Sequence, residues 1–301
     1  MEVGLIGTGL MGLPMGQRLL DSSVSLVTYN RTVEKLEPLR AAGAAIAPNV
    51  PALLGACSVV LLMLSDASAI REVLLSDAHR SALCGRTIIQ MGTIAPRESR
   101  WLRDEIVAAG GEYLEAPVLG SIPEARTGTL QVMVGATPAQ YEQWRSLLAN
   151  FGQEPRYIGE VGSAAALKLA LNQLIASLTT AFSLSLAFTQ AQGVDPEVFM
   201  QVLRQSALYA PTFDKKLQRM LQRNFEHPNF PTKHLLKDTR LFLAEAQANH
   251  LGVDSLAGVQ QILARACQLG LSDADYSALF AAVSPNPLVN LQSHQERDHV
   301  L

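Results

Sequence analysis

Cysteine is scarce in this chain of 301 residues: Cys57, Cys84 and Cys267 are the only three. They are odd in number, far apart, and make no Cys-x-x-Cys pair. That excludes a disulfide framework and suits reduced thiols in a cytoplasmic setting. The six histidines form no H-E-x-x-H motif and no Cys/His cluster, so no metal site is expected. No G-x-S-x-G occurs, which leaves hydrolase chemistry without a nucleophile elbow. Charged residues make up 17% of the chain and the formal net charge is -3, with no basic block. Neither a nucleic-acid nor a membrane partner is indicated. Apolar runs such as SVVLLML at 58–64 fall short of the roughly 20 residues a bilayer crossing needs. EVGLIG at 2–7 already reads as a strand, so a secretory leader is not expected.

What is present is apolar: 48% hydrophobic residues give material for about two domains with sizeable cores. The first half alternates short β-branched runs with helical patterns. Strands are expected at 3–7, 24–30, 44–48, 58–64, 86–92, 111–118, 130–136 and 155–159, with helices between, such as 10–21 and 96–110. Nearly continuous apolar strands in this alternation predict a mostly parallel, doubly wound α/β sheet covered on both faces. Strand signals stop near residue 160. The expected organisation is a nucleotide-binding domain over 1–160, a connecting helix over 161–191 and an all-α domain over 192–285. The polar tail, 286–301, reads as loosely held.

Gly7-Thr8-Gly9-Leu10-Met11-Gly12 is G-x-G-x-x-G. Alone that pattern is weak. Here it follows a strand and opens a helix, the context in which glycines let a pyrophosphate approach a helix N-terminus. The next strand ends at Asn30-Arg31-Thr32, where an NAD-selective site would carry an Asp or Glu for the ribose hydroxyl. A carboxylate there would repel a 2′-phosphate, whereas Arg31 can pair with one and Asn30 and Thr32 can donate to it. NADP(H) is therefore expected over NAD(H). The alternative is that Arg31 is an ordinary solvated cation. Two further strand ends, Met63-Leu64-Ser65 and Met91-Gly92-Thr93, should line the same crevice.

The other informative stretch is GSAAALKLALNQLIASL, 162–178. Lys168 is alone in an apolar helical run and shares a stripe with Asn172 one turn later. Facing a cleft, a partly desolvated lysine can protonate a carbonyl oxygen as hydride reaches the carbon, with Asn172 orienting it. The competing reading is a lysine that snorkels from a packed surface. A second polar pair, Lys237-Asp238, could equally be a charged helix start.

With these motifs in order, the sequence resembles the β-hydroxyacid dehydrogenase family, nearest its branch of glyoxylate and succinic semialdehyde reductases. The matching stretches are GLIGTGLMG (4–12), NRT (30–32), MLSD (63–66), EAPVLGS (115–121), GSAAALKLALNQ (162–173) and FPTKHLLKD (230–238). The resemblance implies Lys168 as catalytic proton donor supported by Asn172. It implies cofactor contacts from Gly7, Thr8, Gly9, Leu10, Met11, Gly12, Asn30, Arg31, Thr32, Met63, Leu64, Ser65, Thr93 and Lys237. Substrate contacts are implied for Thr93, Leu119, Gly120, Ser121, Phe230 and Asp238, and a homodimer or homotetramer built through the all-α domain. Two departures stand out. The family's substrate-anchoring segment has a serine where this chain has Leu119, and often a serine where it has Gly92. Three functions stay open: reduction of a small aldehyde or keto acid, reduction of a less polar carbonyl or imine, and a non-catalytic dinucleotide-binding scaffold. Lys168, Asn172 and Asp238 standing together speak against the last.

Overall fold

The apolar runs of the first half form strands whose neighbours run parallel, because each is joined to the next by a crossover rather than a hairpin. The computed structural model describes residues 2–285; the tail at 286–301 lies outside the described residues. The strands are β1 (Val3–Ile6), β2 (Leu26–Tyr29), β3 (Ala45–Ile46), β4 (Val59–Leu62), β5 (Thr87–Gln90), β6 (Glu112–Glu115), β7 (Val118–Leu119), β8 (Gln131–Gly135) and β9 (Arg156–Gly159). Their order is β3-β2-β1-β4-β5-β6-β8-β7, with β9 beside β8. Strands β3 to β6 along that path are parallel, β8 is antiparallel to β6 and to β7, and β9 is parallel to β8.

Side chains alternate across the sheet and both faces are buried. Val3, Leu5, Leu61, Ile89 and Leu114 join Met15, Leu19 and Leu39 in one core, while Ile6, Val60, Leu62, Ile88 and Tyr113 pack on Leu53, Ile70, Leu102 and Ile106 in the other. The order reverses between β1 and β4, so a crevice opens beyond their carboxyl ends. One expectation needs correction. The run at 111–118 is two strands, since Pro117 has no N–H to continue the ladder and the chain turns there to pair with β8.

The chain divides into two compact units between Leu171 and Asn172, inside the helix Ser163–Ala191. That helix corrects a second expectation. Its 29 residues are long and apolar enough, by length and composition, to cross a membrane. Of its residues, Ala164, Ala165 and Leu169 are buried in the first unit and Ala176, Phe182 and Leu186 in the second, while Leu174, Leu178, Leu184 and Phe188 are exposed.

The second unit is helical, with Pro196–Arg204, Pro211–Leu221, Thr232–Ala248, Asp254–Ala266 and Leu279–Val283 packed around Phe182, Phe213, Met220, Leu235, Leu263 and Leu279. Its interior holds an ion pair between Lys216 and Asp275. Lys216 Nζ donates to both oxygens of Asp275, at 2.8 and 2.9 Å, and lies 4.2 Å from the Tyr276 ring centre. Burial pulls the Lys216 pKa down and the Asp275 charge opposes it. Asp275 also accepts from the Ser277 hydroxyl and backbone, and its own N–H donates to the Phe225 carbonyl. Lys216→Met would leave that carboxylate buried without its cation, a loss of about 3–5 kcal/mol. A urea titration should show it, with most recovered when Asp275→Asn is added; a loss under about 1 kcal/mol would contradict this account.

Candidate active site

The first turn after β1 is shaped by steric necessity. Gly7 has φ 98°, open to glycine but strained for other residues. A Cβ on Gly12 would fall far inside van der Waals contact with the Gly7 carbonyl oxygen, while one on Gly9 would meet nothing within 4 Å. The turn is thus closed against itself at Gly7 and Gly12 and open at Gly9. Gly7 donates its N–H to the Tyr29 carbonyl and Met63 donates to Ile6, so the ends of β1, β2 and β4 are held side by side. The Thr8 hydroxyl is buried with no hydrogen-bond partner, and helix Gly12–Asp21 begins at the turn. An open face at Gly9 and the unpartnered Thr8 hydroxyl, beside a helix N-terminus, suit a pyrophosphate, so the residues fit a dinucleotide.

Around this turn, Asn30 accepts from the Thr8 N–H at 3.2 Å and donates to the Thr32 carbonyl at 2.9 Å. Its side chain therefore shapes the turn. Leu10, Arg31 and Thr32 are exposed, and Met11 is half-buried. Met63 and Leu64 are half-buried beyond β4, and Ser65 donates to Asp66, which caps helix Ala67–Leu74. Gly92 and Thr93 follow β5. A Cβ on Gly92 would stand 2.5 Å from the Leu64 carbonyl oxygen, so a side chain at 92 would require that backbone to shift.

Leu119 lies half-buried on β7, and Gly120, at φ 133°, turns the chain into the helix Ile122–Thr127. Ser121 donates both its N–H (2.8 Å) and its hydroxyl (3.0 Å) to the Glu124 carboxylate. Both Ser121 donors are thereby committed within the chain.

Lys168 is 8% exposed, so its side chain is almost wholly buried. In the second unit, Asn172 is buried; its side-chain N–H donates to Asp238 at 2.6 Å, and its Oδ1 is buried without a hydrogen-bond partner. The other Asp238 oxygen pairs with Lys237 at 3.0 Å. Asp238 is the seventh residue of helix Thr232–Ala248, beyond its first turn, so it is no charged helix start. Phe230 precedes that helix, its ring edge-on to Tyr276. Among the described residues no group of three or more His, Cys, Asp or Glu could hold a metal ion.

One residue was missed by sequence reasoning. Glu115, at the end of β6, is 1% exposed. One of its oxygens accepts the N–H groups of Gly162, Ala164 and Ala165 at 2.8, 2.9 and 3.0 Å, and the other accepts from the Ser99 hydroxyl. Burial raises its pKa, and the Ser99 and backbone hydrogen bonds oppose the rise. The only local signal is a carboxylate closing an apolar strand.

Comparison with known proteins is consistent along the chain. A family model described as the NAD binding domain of 6-phosphogluconate dehydrogenase matches residues 2–159. A second, described as NAD-binding of NADP-dependent 3-hydroxyisobutyrate dehydrogenase, matches residues 162–283. Glyoxylate/succinic semialdehyde reductase 1 of Arabidopsis thaliana is 31% identical over 285 residues, covering 94% of this chain and 98% of that protein. Among solved structures, Psf3 in complex with NADP+ and 2-OPP is 25% identical with a TM-score of 0.83, covering 94% of this chain and all of that one. Mycobacterium tuberculosis 3-hydroxyisobutyrate dehydrogenase is 20% identical with a TM-score of 0.85, over 94% and 99% of the two chains.

Proposed function

Because the chain belongs to the β-hydroxyacid dehydrogenase family, and is thereby an NADP(H)-dependent oxidoreductase of hydroxyl and carbonyl groups, we propose that it reduces a small aldehyde or keto acid with Lys168 as proton donor. The observation that carries this reading is a lysine, almost wholly buried, in a helical run over 164–171 that is otherwise apolar. NADPH, when bound, supplies hydride to the carbonyl carbon. Lys168 supplies the proton to the carbonyl oxygen and regains one from solvent, so the product is the alcohol. Asn172, fixed by Asp238, keeps an acceptor open for an ammonium or a substrate hydroxyl.

The glycine turn would hold the pyrophosphate, Arg31 the 2′-phosphate, and Thr93 the substrate. Glyoxylate and succinic semialdehyde are the first substrates to try, given the Arabidopsis relative. The proposed partner is a second copy of this chain, for which Leu174, Leu178, Leu184 and Phe188 offer exposed apolar surface on the long helix. A 32.5 kDa particle in sedimentation would remove that partner.

A second reading, reduction of a less polar carbonyl or an imine, is favoured by the anchoring segment. Leu119 carries no donor and Ser121 spends both of its own on Glu124. Each donor missing from a carboxylate costs about 1–3 kcal/mol, or a factor of about 5 to 150. Initial rates with NADPH and NADH over charged and uncharged aldehydes decide between them. The first reading expects NADPH to be favoured at least about tenfold, the value of one charge-assisted contact, and glyoxylate or succinic semialdehyde to lead. Uncharged substrates in the lead, with Leu119→Ser restoring charged ones, would establish the second. No turnover of any carbonyl would leave only a binding scaffold.

A further inference from the structure

The first N–H groups of a helix lack intrahelical partners, and each needs one if the end is buried. At the start of Ser163–Ala191 all of them are accounted for. Ser163 donates to the Glu160 carbonyl at 3.0 Å, and Gly162, Ala164 and Ala165 donate to one oxygen of Glu115. This cap comes from a strand about 50 residues earlier, in place of the usual residue beside the helix. Glu115 is itself fixed: Ser99, on helix Pro96–Ala108, holds its second oxygen, and Gly135 on β8 leaves the space it occupies, since a Cβ there would overlap the carboxylate. Its negative charge also lies against the positive end of the helix.

Lys168 follows one turn later. Ala164 and Ala165 stand four and three residues before it, on the same stripe, and the Lys168 N–H bonds within the helix to the Ala164 carbonyl. The residues that Glu115 grips are therefore those that set where Lys168 begins.

We propose that Glu115 is a positioning residue, tying the helix start to the sheet so that Lys168 is held in register with the strand ends. This rests on the reading of Lys168 as proton donor. Glu115 touches neither cofactor nor substrate in this role. A displacement of about 1 Å can cost on the order of a hundredfold in rate, so the hold need only be lost locally to matter.

Two measurements on the full chain test it. In hydrogen–deuterium exchange without ligand, Glu115→Ala should speed exchange in peptides over 162–170 at least about tenfold, while peptides over 176–191 and over β1 and β4 stay as in the wild type. Glu115→Gln keeps an acceptor oxygen and should exchange like the wild type; if Glu115→Ala does not fold, Glu115→Asp, one methylene short, takes its place. Equal exchange in the wild type and the truncated variant would overturn the proposal. In turnover of glyoxylate or the best aldehyde found, Glu115→Ala should lower kcat about 10- to 100-fold with the KM for NADPH within about twofold. In a Lys168→Ala background the same change should cost nothing further, because its effect passes through the lysine. Additive losses would make Glu115 a general structural residue and overturn the proposal. Should Lys168→Ala alone keep full activity, the lysine reading fails, while the exchange result still reports whether the helix is held.

Discussion

Lys168→Ala is expected to lower kcat by about 10²–10⁴, the range that a positioned general acid supplies. NADPH affinity should stay within about threefold, because no cofactor contact is assigned to this side chain and the substitution removes no helical backbone bond. Alanine is the best helix former, and Ala164, Ala165, Ala166 and Ala170 already surround the site, so folding should not suffer. Lys168→Arg should rescue little: guanidinium keeps its proton too firmly to deliver it, and it is bulkier in a space that leaves the lysine 8% exposed. Stopped-flow reduction under saturating NADPH separates the chemical step from binding. A kcat within about twofold of wild type in the alanine variant would remove the lysine from the mechanism.

The second large effect belongs to the glycine turn, where neighbouring positions should respond differently. Gly12→Val places a Cβ inside the Gly7 carbonyl, so the turn must open before the chain can fold. Overpacking of this kind costs about 1–3 kcal/mol or more, and NADPH binding by fluorescence titration should weaken by at least about a hundredfold. Gly9→Val meets no protein atom within 4 Å at its Cβ, so the melting temperature should be unchanged. It should nonetheless weaken NADPH binding by at least about tenfold, because its side chain takes up space a pyrophosphate would use. A Gly9 variant that binds NADPH normally would move the cofactor away from this turn.

Much of this was legible because the signals are local. The strands of the nucleotide unit show as short β-branched runs, and the glycine turn is identified by what precedes and follows it. Lys168 was visible as a charge in an apolar helix, but its burial was not, since one sequence admits both a surface and a cleft for such a stripe. The break at Pro117 needed the pairing of β7 with β8, a contact across about a dozen residues. Glu115 carries no sign of its role in the sequence, because its partners lie 47 to 50 residues onward and no local pattern announces a cap from another element. The hold of Glu124 on Ser121 is a Ser-x-x-Glu spacing, readable as a capping box, yet that it takes up both Ser121 donors appears only in the folded chain.

The close approach of Gly92 to the Leu64 carbonyl also constrains how this site could change over generations. Any side chain at 92 needs the backbone after β4 to withdraw first, and that backbone lies against the glycine turn through Met63. Substitutions at these positions are therefore not independent: one accepted at 64 sets whether one at 92 is tolerable. A hydroxyl side chain at 92 therefore calls for an accompanying shift of the segment after β4. A library randomising 92 alone would return the parent residue, whereas one that also varies 63 to 65 would open the neighbouring sequences.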